Sequence, residues 1–360
     1  MGWNRNEITE KLGIDYPIFQ APMAGGITTA ELISETSNCG GLGNLGAGYM
    51  KPDEIREITK KIRCLTDKSF GVNLFVPNES TLYKQEDFKT MARVLAKYQS
   101  ELGIEESSPH PEKNYKVLYE NQLEEVLRAG VSVCSFTFGI PDKDVIRELK
   151  QQECIIIGTA TNVNEAMELE ESGVDMIVAQ GSEAGGHRGT YHDEDSGLIG
   201  SMALIPQVVD AVSKPVIAAG GIMDARGIAA AMILGAEGVQ LGTAFLTCKE
   251  SGAHPIYKEA LLNSTEEQTV LTKSFSGKLA RGINNRFIKE MSPLSSSILP
   301  FPIQNDLTGS IRKQAAKVNQ PDFMSLWAGQ GLRLANETTV YELMKRLIEE
   351  TEEICGSIRI

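Results

Sequence analysis

Two of the four histidines in this 360-residue chain fall in one stretch, AQGSEAGGHRGTYHDEDSG, residues 179–197. His187 has glycines at 185, 186 and 189, and the stretch follows an apolar run that ends at Gln180. Glycine lets backbone and ring come close to a bound molecule. Imidazole titrates near neutrality, so His187 can take a proton from a carbon acid; protonated, it can hold an anion instead. A structural role, bonding its own loop, is the competing reading. Arg188 either adds positive field or pairs with Asp193, Glu194 or Asp195. The other histidines suit duller positions: His192 on a loop surface, His110 in an exposed turn between prolines, and His254 at a loop or helix start before Pro255.

A second group of residues suits an anion. Gly220 and Gly221 end one apolar run, and Gly242 and Thr243 end another. Glycines allow backbone N–H groups to approach a phosphate, and a following helix N-terminus favours negative charge. A glycine pair alone equally marks a tight turn. Uncharged amides sit in or at the ends of apolar runs: Gln20, Asn73, Gln180 and Gln240. Each must be hydrogen-bonded if buried, either to loop backbone or, together, to the edge of a flat heterocycle. With the phosphate site, the set suggests a mononucleotide such as FMN.

The elements that must carry these residues are legible as eight short apolar runs. They are YPIFQAP, CGGLGNLG, SFGVNLFV, VSVCSFTFG, CIIIGTA, DMIVAQG, KPVIAAGG and EGVQLGTAF. Nearly continuous apolar character predicts strands buried on both faces. Segments of helical spacing separate most of them, with Asn162, Asn164 and Asp224 as candidate N-caps and Gly173 and Gly235 as stops. Eight strand–helix alternations predict a (β/α)8 TIM barrel, an α/β fold, with an open doubly wound sheet as the alternative. Active sites of such barrels lie at the C-terminal ends of the strands, where all the residues above fall.

Two regions break the rhythm. Residues 77–125 are too long for one crossover and read as a helical insertion. Residues 251–320, with the Pro-rich MSPLSSSILPFPIQ, read as a cap or lid over the catalytic end. The barrel is then expected from 1–250 and 321–360.

A net charge of −13, from 35 basic and 48 acidic residues, argues against nucleic acid or anionic lipid as partner. No apolar run is long enough to span a membrane, and the first residues show no secretory signal, so a cytoplasmic protein is expected. The six cysteines are scattered without a CxxC pair, which predicts small buried hydrophobes and no metal site.

PIFQAPMAGG, GVNLFVP, AQGSEAGGHRG, PVIAAGGIMDARGIAAAMILGAEGVQLGTAFL and SLWAGQG together resemble the nitronate monooxygenase family, formerly 2-nitropropane dioxygenases, from about residue 13 to about 332. The resemblance implies an FMN-dependent oxidoreductase that uses O2 to convert alkyl nitronates, propionate 3-nitronate among them, to a carbonyl compound and nitrite. It implies FMN contacts at Ala21, Pro22 and Met23, and at Asn73 and Gln180 near the ring edge and ribityl chain. Gly185, Gly220 and Gly221 would bring backbone against the cofactor. Gln240, Leu241, Gly242 and Thr243 would hold the phosphate end, and His187 would be the active-site histidine. A homodimer is compatible with it. The flavin-dependent enoyl-ACP reductases share a similar EAGGH segment. That alternative needs NAD(P)H and a basic patch, for which Lys273, Lys278, Arg281 and Arg286 are available. A non-catalytic flavin or nucleotide sensor is the third reading, since fold does not fix function.

Overall fold

All eight apolar runs form strands in the structure, a computed structural model that describes residues 2–77, 83–104, 114–192 and 197–357. In chain order the strands are β1 (Ile18–Gln20), β2 (Gly43–Gly46), β3 (Phe70–Phe75), β4 (Val133–Thr137), β5 (Ile155–Ala160), β6 (Met176–Gln180), β7 (Gly186–His187), β8 (Val216–Ala219), β9 (Gly238–Leu241), β10 (Thr269–Thr272) and β11 (Ala280–Ile283). Eight of them form one parallel sheet in the order β1-β9-β8-β6-β5-β4-β3-β2. A parallel bridge between Phe19 and Leu42 joins its two ends. The Gln20 amide donates to the Leu42 carbonyl (3.0 Å) and the Leu42 amide to Ile18 (2.9 Å). The sheet therefore closes into a TIM barrel, which disposes of the open-sheet alternative.

Each barrel strand has its helix. Those after the first seven are Ala30–Asn38, Pro52–Leu65, Tyr115–Ala129, Lys143–Gln151, Val163–Ser172, Ser201–Ala211 and Ala225–Ile233. The eighth, Val340–Ser357, packs between Ala225–Ile233 and Ala30–Asn38. It closes the helical ring only after a long excursion of the chain. Local chemistry sets the ends: Asn162 accepts from the Glu165 amide at 3.0 Å, and Gly173 stops its helix at φ 95°. No helix among the described residues is long and apolar enough to cross a membrane.

Side chains alternate between the barrel interior and the helical layer, as period-two geometry requires. On β6, Met176 and Val178 join the interior core, whereas Ile177 and Ala179 pack outward. The short helix Glu7–Leu12 plugs the bottom with Ile8 and Leu12, which pack on Phe19, Met176 and Ile217. Near the top the interior turns polar, with Asn73, Ser135, Thr137, Thr159, Gln180 and Gln240. The barrel thus has a sealed apolar base and a polar floor beneath its open end.

The helix Gln85–Glu101 departs from the expected partition. Its Met91, Leu95 and Tyr98 are buried in the same core as Phe275, Phe287 and Ile311 of the cap region. The second helix of that insertion, Tyr115–Ala129, packs on the barrel through Tyr119, Leu123 and Val126. β10 and β11 pair antiparallel within the cap region, and β11 also pairs with β7.

Of the cysteines, Cys134, Cys154 and Cys248 are buried, while Cys64 is exposed and Cys39 and Cys355 lie between; all are free thiols. Burial as small hydrophobes therefore holds for half of them.

Candidate active site

His187 sits on β7, a two-residue strand opposite Ala280 of β11. The residues before it explain why glycine is required. Gly186 has φ 73°, a left-handed conformation that disfavours side chains. A Cβ on Gly185 would lie 2.5 Å from the Gly329 amide nitrogen. The loop can therefore press against residues 328–329 and still turn into the cap sheet.

The imidazole projects into a cavity above the barrel floor, between the rings of Phe138, Phe301 and Trp327 at centroid distances of 5.7, 5.9 and 5.5 Å. Its Nε2 is 2.8 Å from Ser276 Oγ. Burial, reinforced by the charges of Lys278 and Arg312, pushes the His187 pKa down to about 3. That shift favours the neutral ring over a resident positive charge.

Arg188 points the other way. It is fully buried, and its guanidinium donates to the carbonyl oxygens of Gly181 (2.7 Å), Gln180 (2.6 Å) and Gly197 (3.0 Å). It fastens the loop from behind. Asp193, Glu194 and Asp195, considered as its partners, lie outside the described residues, as does His110. Gln180 adds to the fastening: its Nε2 donates to the His187 carbonyl (3.1 Å) and its Oε1 accepts from Gly189 N (2.8 Å). Buried Glu165 completes it, accepting from Thr190 Oγ1 (2.5 Å), Tyr191 N (3.3 Å) and Thr161 N (2.6 Å). His192 bonds Glu168 on the surface (2.7 Å), and His254 caps a helix through Nδ1.

Of the residues expected at a cofactor site, Ala21, Pro22, Met23, Asn73, Gln180, Gly185, Gly220, Gly221, Gln240, Gly242 and Thr243 all line the cavity that His187 faces. Leu241 does not. It points outward from β9 into the core with Ile228 and Met344, so only its backbone faces neighbours within the barrel. The Leu241 carbonyl accepts from Ala21 N at 2.9 Å. Gln20 alternates outward for the same reason: its side chain accepts from Asn44 N (3.0 Å) and donates to the Ala21 carbonyl. The four amides therefore reduce to three on the cavity.

One side of the cavity is a cradle of glycines. Gly220 and Gly221 have φ 115° and 72°, and a Cβ on Gly220 would meet Gly181 O and Ser201 Oγ at 3.1 Å. Thr243 Oγ1 accepts from Gly329 N (3.0 Å), so its own proton is left to donate into the cavity. The helix N-terminus after Gly221 is not available to an anion, because the Asp224 carboxylate already caps it through Arg226 N (3.0 Å) and Gly227 N (3.3 Å). Backbone at 220–221 and the Thr243 hydroxyl remain on the cavity wall.

Several lining residues were not singled out from sequence, among them Tyr49, Phe138, Tyr257 and Trp327. Phe138 follows directly on β4 and holds φ 74°, rare for an aromatic residue. Two of the four basic residues of 273–286 are engaged within the structure. Arg281 is 8% exposed and donates to Ser182 O, and Arg286 is engaged by Glu101 and Glu290.

A barrel whose strand ends carry a glycine cradle, an amide-rich floor and a loop-borne imidazole is an enzyme site. A family model described as nitronate monooxygenase matches residues 5–350. A probable nitronate monooxygenase of Staphylococcus haemolyticus is 48% identical over 360 residues, covering 99% of this chain and 100% of that protein. A nitroalkane oxidase of Streptomyces ansochromogenes has a similar structure, with TM-score 0.90 and 38% identity over 98% of this chain and 100% of that one. FabK from Thermotoga maritima superposes with TM-score 0.78 and 29% identity, covering 98% and 97%. The chain belongs to the nitronate monooxygenase family and is a flavin-dependent oxidoreductase.

Proposed function

We propose that the protein is an FMN-dependent nitronate monooxygenase that converts alkyl nitronates and O2 to a carbonyl compound and nitrite. The observation that carries this reading is the neutral His187 imidazole beside a cavity with a glycine cradle at one side. A flavin mononucleotide fits the residues present. Asn73 and Gln240 offer amides on the floor, and Gly220, Gly221 and Thr243 offer donors to a single phosphate. A bound FMN would supply the redox chemistry.

The chain's own residues do the rest. His187, neutral and held by Ser276, accepts the carbon-bound proton of a neutral nitroalkane; a preformed nitronate does not need that step. Phe138, Phe301 and Trp327 surround the imidazole with apolar surface and keep water from the reacting carbon. Asn73 is held by Ser135 Oγ (2.9 Å) and Thr137 Oγ1 (3.1 Å), which orients its amide toward the cavity floor.

The likeness to FabK keeps a reductase of enoyl thioesters as the second reading. The burial of Arg281 and the ion pairs of Arg286 count against it, because they take two of the four basic residues of 273–286 from a surface that a phosphorylated carrier could meet. The test is cofactor and donor together. Heat-released cofactor should chromatograph as FMN, and the holoenzyme should consume nitronate without NAD(P)H. Recovery of FAD, or oxidation of NAD(P)H driven by an enoyl thioester, would reject the proposal.

A further inference from the structure

Glu183 lies behind the glycine cradle, a few residues before His187 in the same loop. It is half-buried and is not among the residues that line the cavity. The helix Ser201–Ala211 begins after Gly200, which has no side chain to cap it. Glu183 supplies the cap from a distance in sequence: its Oε1 and Oε2 accept from the Ser201 amide at 2.9 and 3.0 Å. The contact continues past the helix. The Ser201 hydroxyl lies 2.9 Å from Glu183 Oε2 and 3.1 Å from the Gly220 carbonyl oxygen. Both oxygens accept, so one hydroxyl proton ties the carboxylate to the cradle.

Two glycines clear the space for this contact. A Cβ on Gly181 would lie 2.5 Å from Glu183 Oε2, and one on Gly221 would lie 3.4 Å from Glu183 Cβ. The main chain of Glu183 is pinned on its other side. Its carbonyl accepts from Gln330 N at 2.9 Å, next to Gly329, whose amide donates to Thr243 Oγ1 at 3.0 Å. One residue therefore joins the His187 loop, the cradle at Gly220 and the Thr243 side of the cavity. A helix cap needs only the Ser201 amide; the links to Gly220 and Gln330 go beyond capping.

We propose that Glu183 is a positioning residue that sets the Gly220–Gly221 cradle against the loop that carries His187. The inference rests on the FMN reading and adds to it a residue outside the cavity wall. Through it, the fit of the cofactor's phosphate end and the placement of the imidazole depend on the same carboxylate.

The test uses the full-length protein, with FMN affinity from fluorescence titration of the apoprotein and kcat on ethyl nitronate at saturating FMN. Glu183→Ala should raise the FMN dissociation constant about ten- to a hundred-fold, the range of a lost bond to a charged group. It should also lower kcat about three- to thirty-fold, because small displacements of reacting groups are costly. Glu183→Gln reaches the Ser201 amide with one oxygen and should recover most of both losses. Ser201→Ala keeps the amide but cuts the link to Gly220. It should raise the dissociation constant about three- to ten-fold, and it carries the test if Glu183→Ala does not fold. A lower urea-unfolding midpoint with both readouts unchanged would reduce Glu183 to a helix cap and overturn the proposal. Tighter FMN binding by Glu183→Ala, or no recovery in Glu183→Gln, would overturn it too. A wild type that binds FMN but releases no nitrite would reject the nitronate reading, and the dissociation constants alone would then decide the role of Glu183. A wild type that binds no FMN would overturn both.

Discussion

His187 Nε2 and Ser276 Oγ, 89 residues apart in sequence, are joined at 2.8 Å. The Ser276 hydroxyl also lies 3.1 Å from the Lys278 carbonyl, which can only accept. With its proton directed there, Ser276 receives the Nε2–H of His187 and leaves the imidazole lone pair on Nδ1. A cap-region residue thus selects the tautomer of the His187 ring.

Ser276→Ala should therefore impair proton abstraction without emptying the site. One neutral hydrogen bond is worth about 0.5–1.5 kcal/mol, so turnover of nitroethane should fall up to about ten-fold. Initial rates at matched flavin content check this. An unchanged rate would mean that the contact does not orient the ring.

His187→Asn separates a base from a residue that only lines the site. Turnover of neutral nitroalkanes should drop about 10²–10⁴-fold, while preformed nitronates should lose much less. The depressed pKa, about 3, adds a sign. The imidazole is already neutral at pH 6, so the wild-type rate on preformed nitronate should stay level between pH 6 and 8. A rate that falls as pH rises through the ordinary imidazole range would restore a charged histidine.

Thr243→Val keeps the side-chain volume but removes the hydroxyl from a residue that lines the cavity. A hydrogen bond to a charged group contributes about 1.5–3 kcal/mol, so the FMN dissociation constant should rise about ten- to a hundred-fold. Fluorescence titration of the apoprotein measures it. An unaltered constant would remove Thr243 from the cofactor shell.

Arg188→Met should destabilise the protein far more than it alters substrate preference. The methionine fills part of the space but leaves three carbonyl oxygens without their donor. Each uncompensated buried group costs about 1–3 kcal/mol, so a total loss of about 3 kcal/mol or more is expected in urea unfolding. A loss below about 1 kcal/mol would contradict the fastening role.

The barrel was legible because its strands are buried on both faces, so each reads as an unbroken apolar run. The cavity was legible where glycine marks close backbone approach, as at Gly185 and Gly220. Face was not legible. Gln20 and Leu241 lie on the right strands, but period-two alternation turns both outward, and runs this short and uniformly apolar carry no phase. Ser276 was invisible because a serine 89 residues away has no local signature, and β7 because two residues make no periodic pattern. Arg188 was read through its charge, as field or ion pair, whereas among the described residues three loop carbonyls hold it, a role with no signature in sequence.

The central claim is nitronate oxidation at the site His187 faces, and nitrite release tests it most directly. Purified enzyme loaded with FMN is given ethyl nitronate in air with no nicotinamide, and nitrite and oxygen consumption are followed together. The account predicts flavin-dependent nitrite formation with O2 uptake, both lost when air is excluded. Absence of nitrite above the flavin-only control would contradict it.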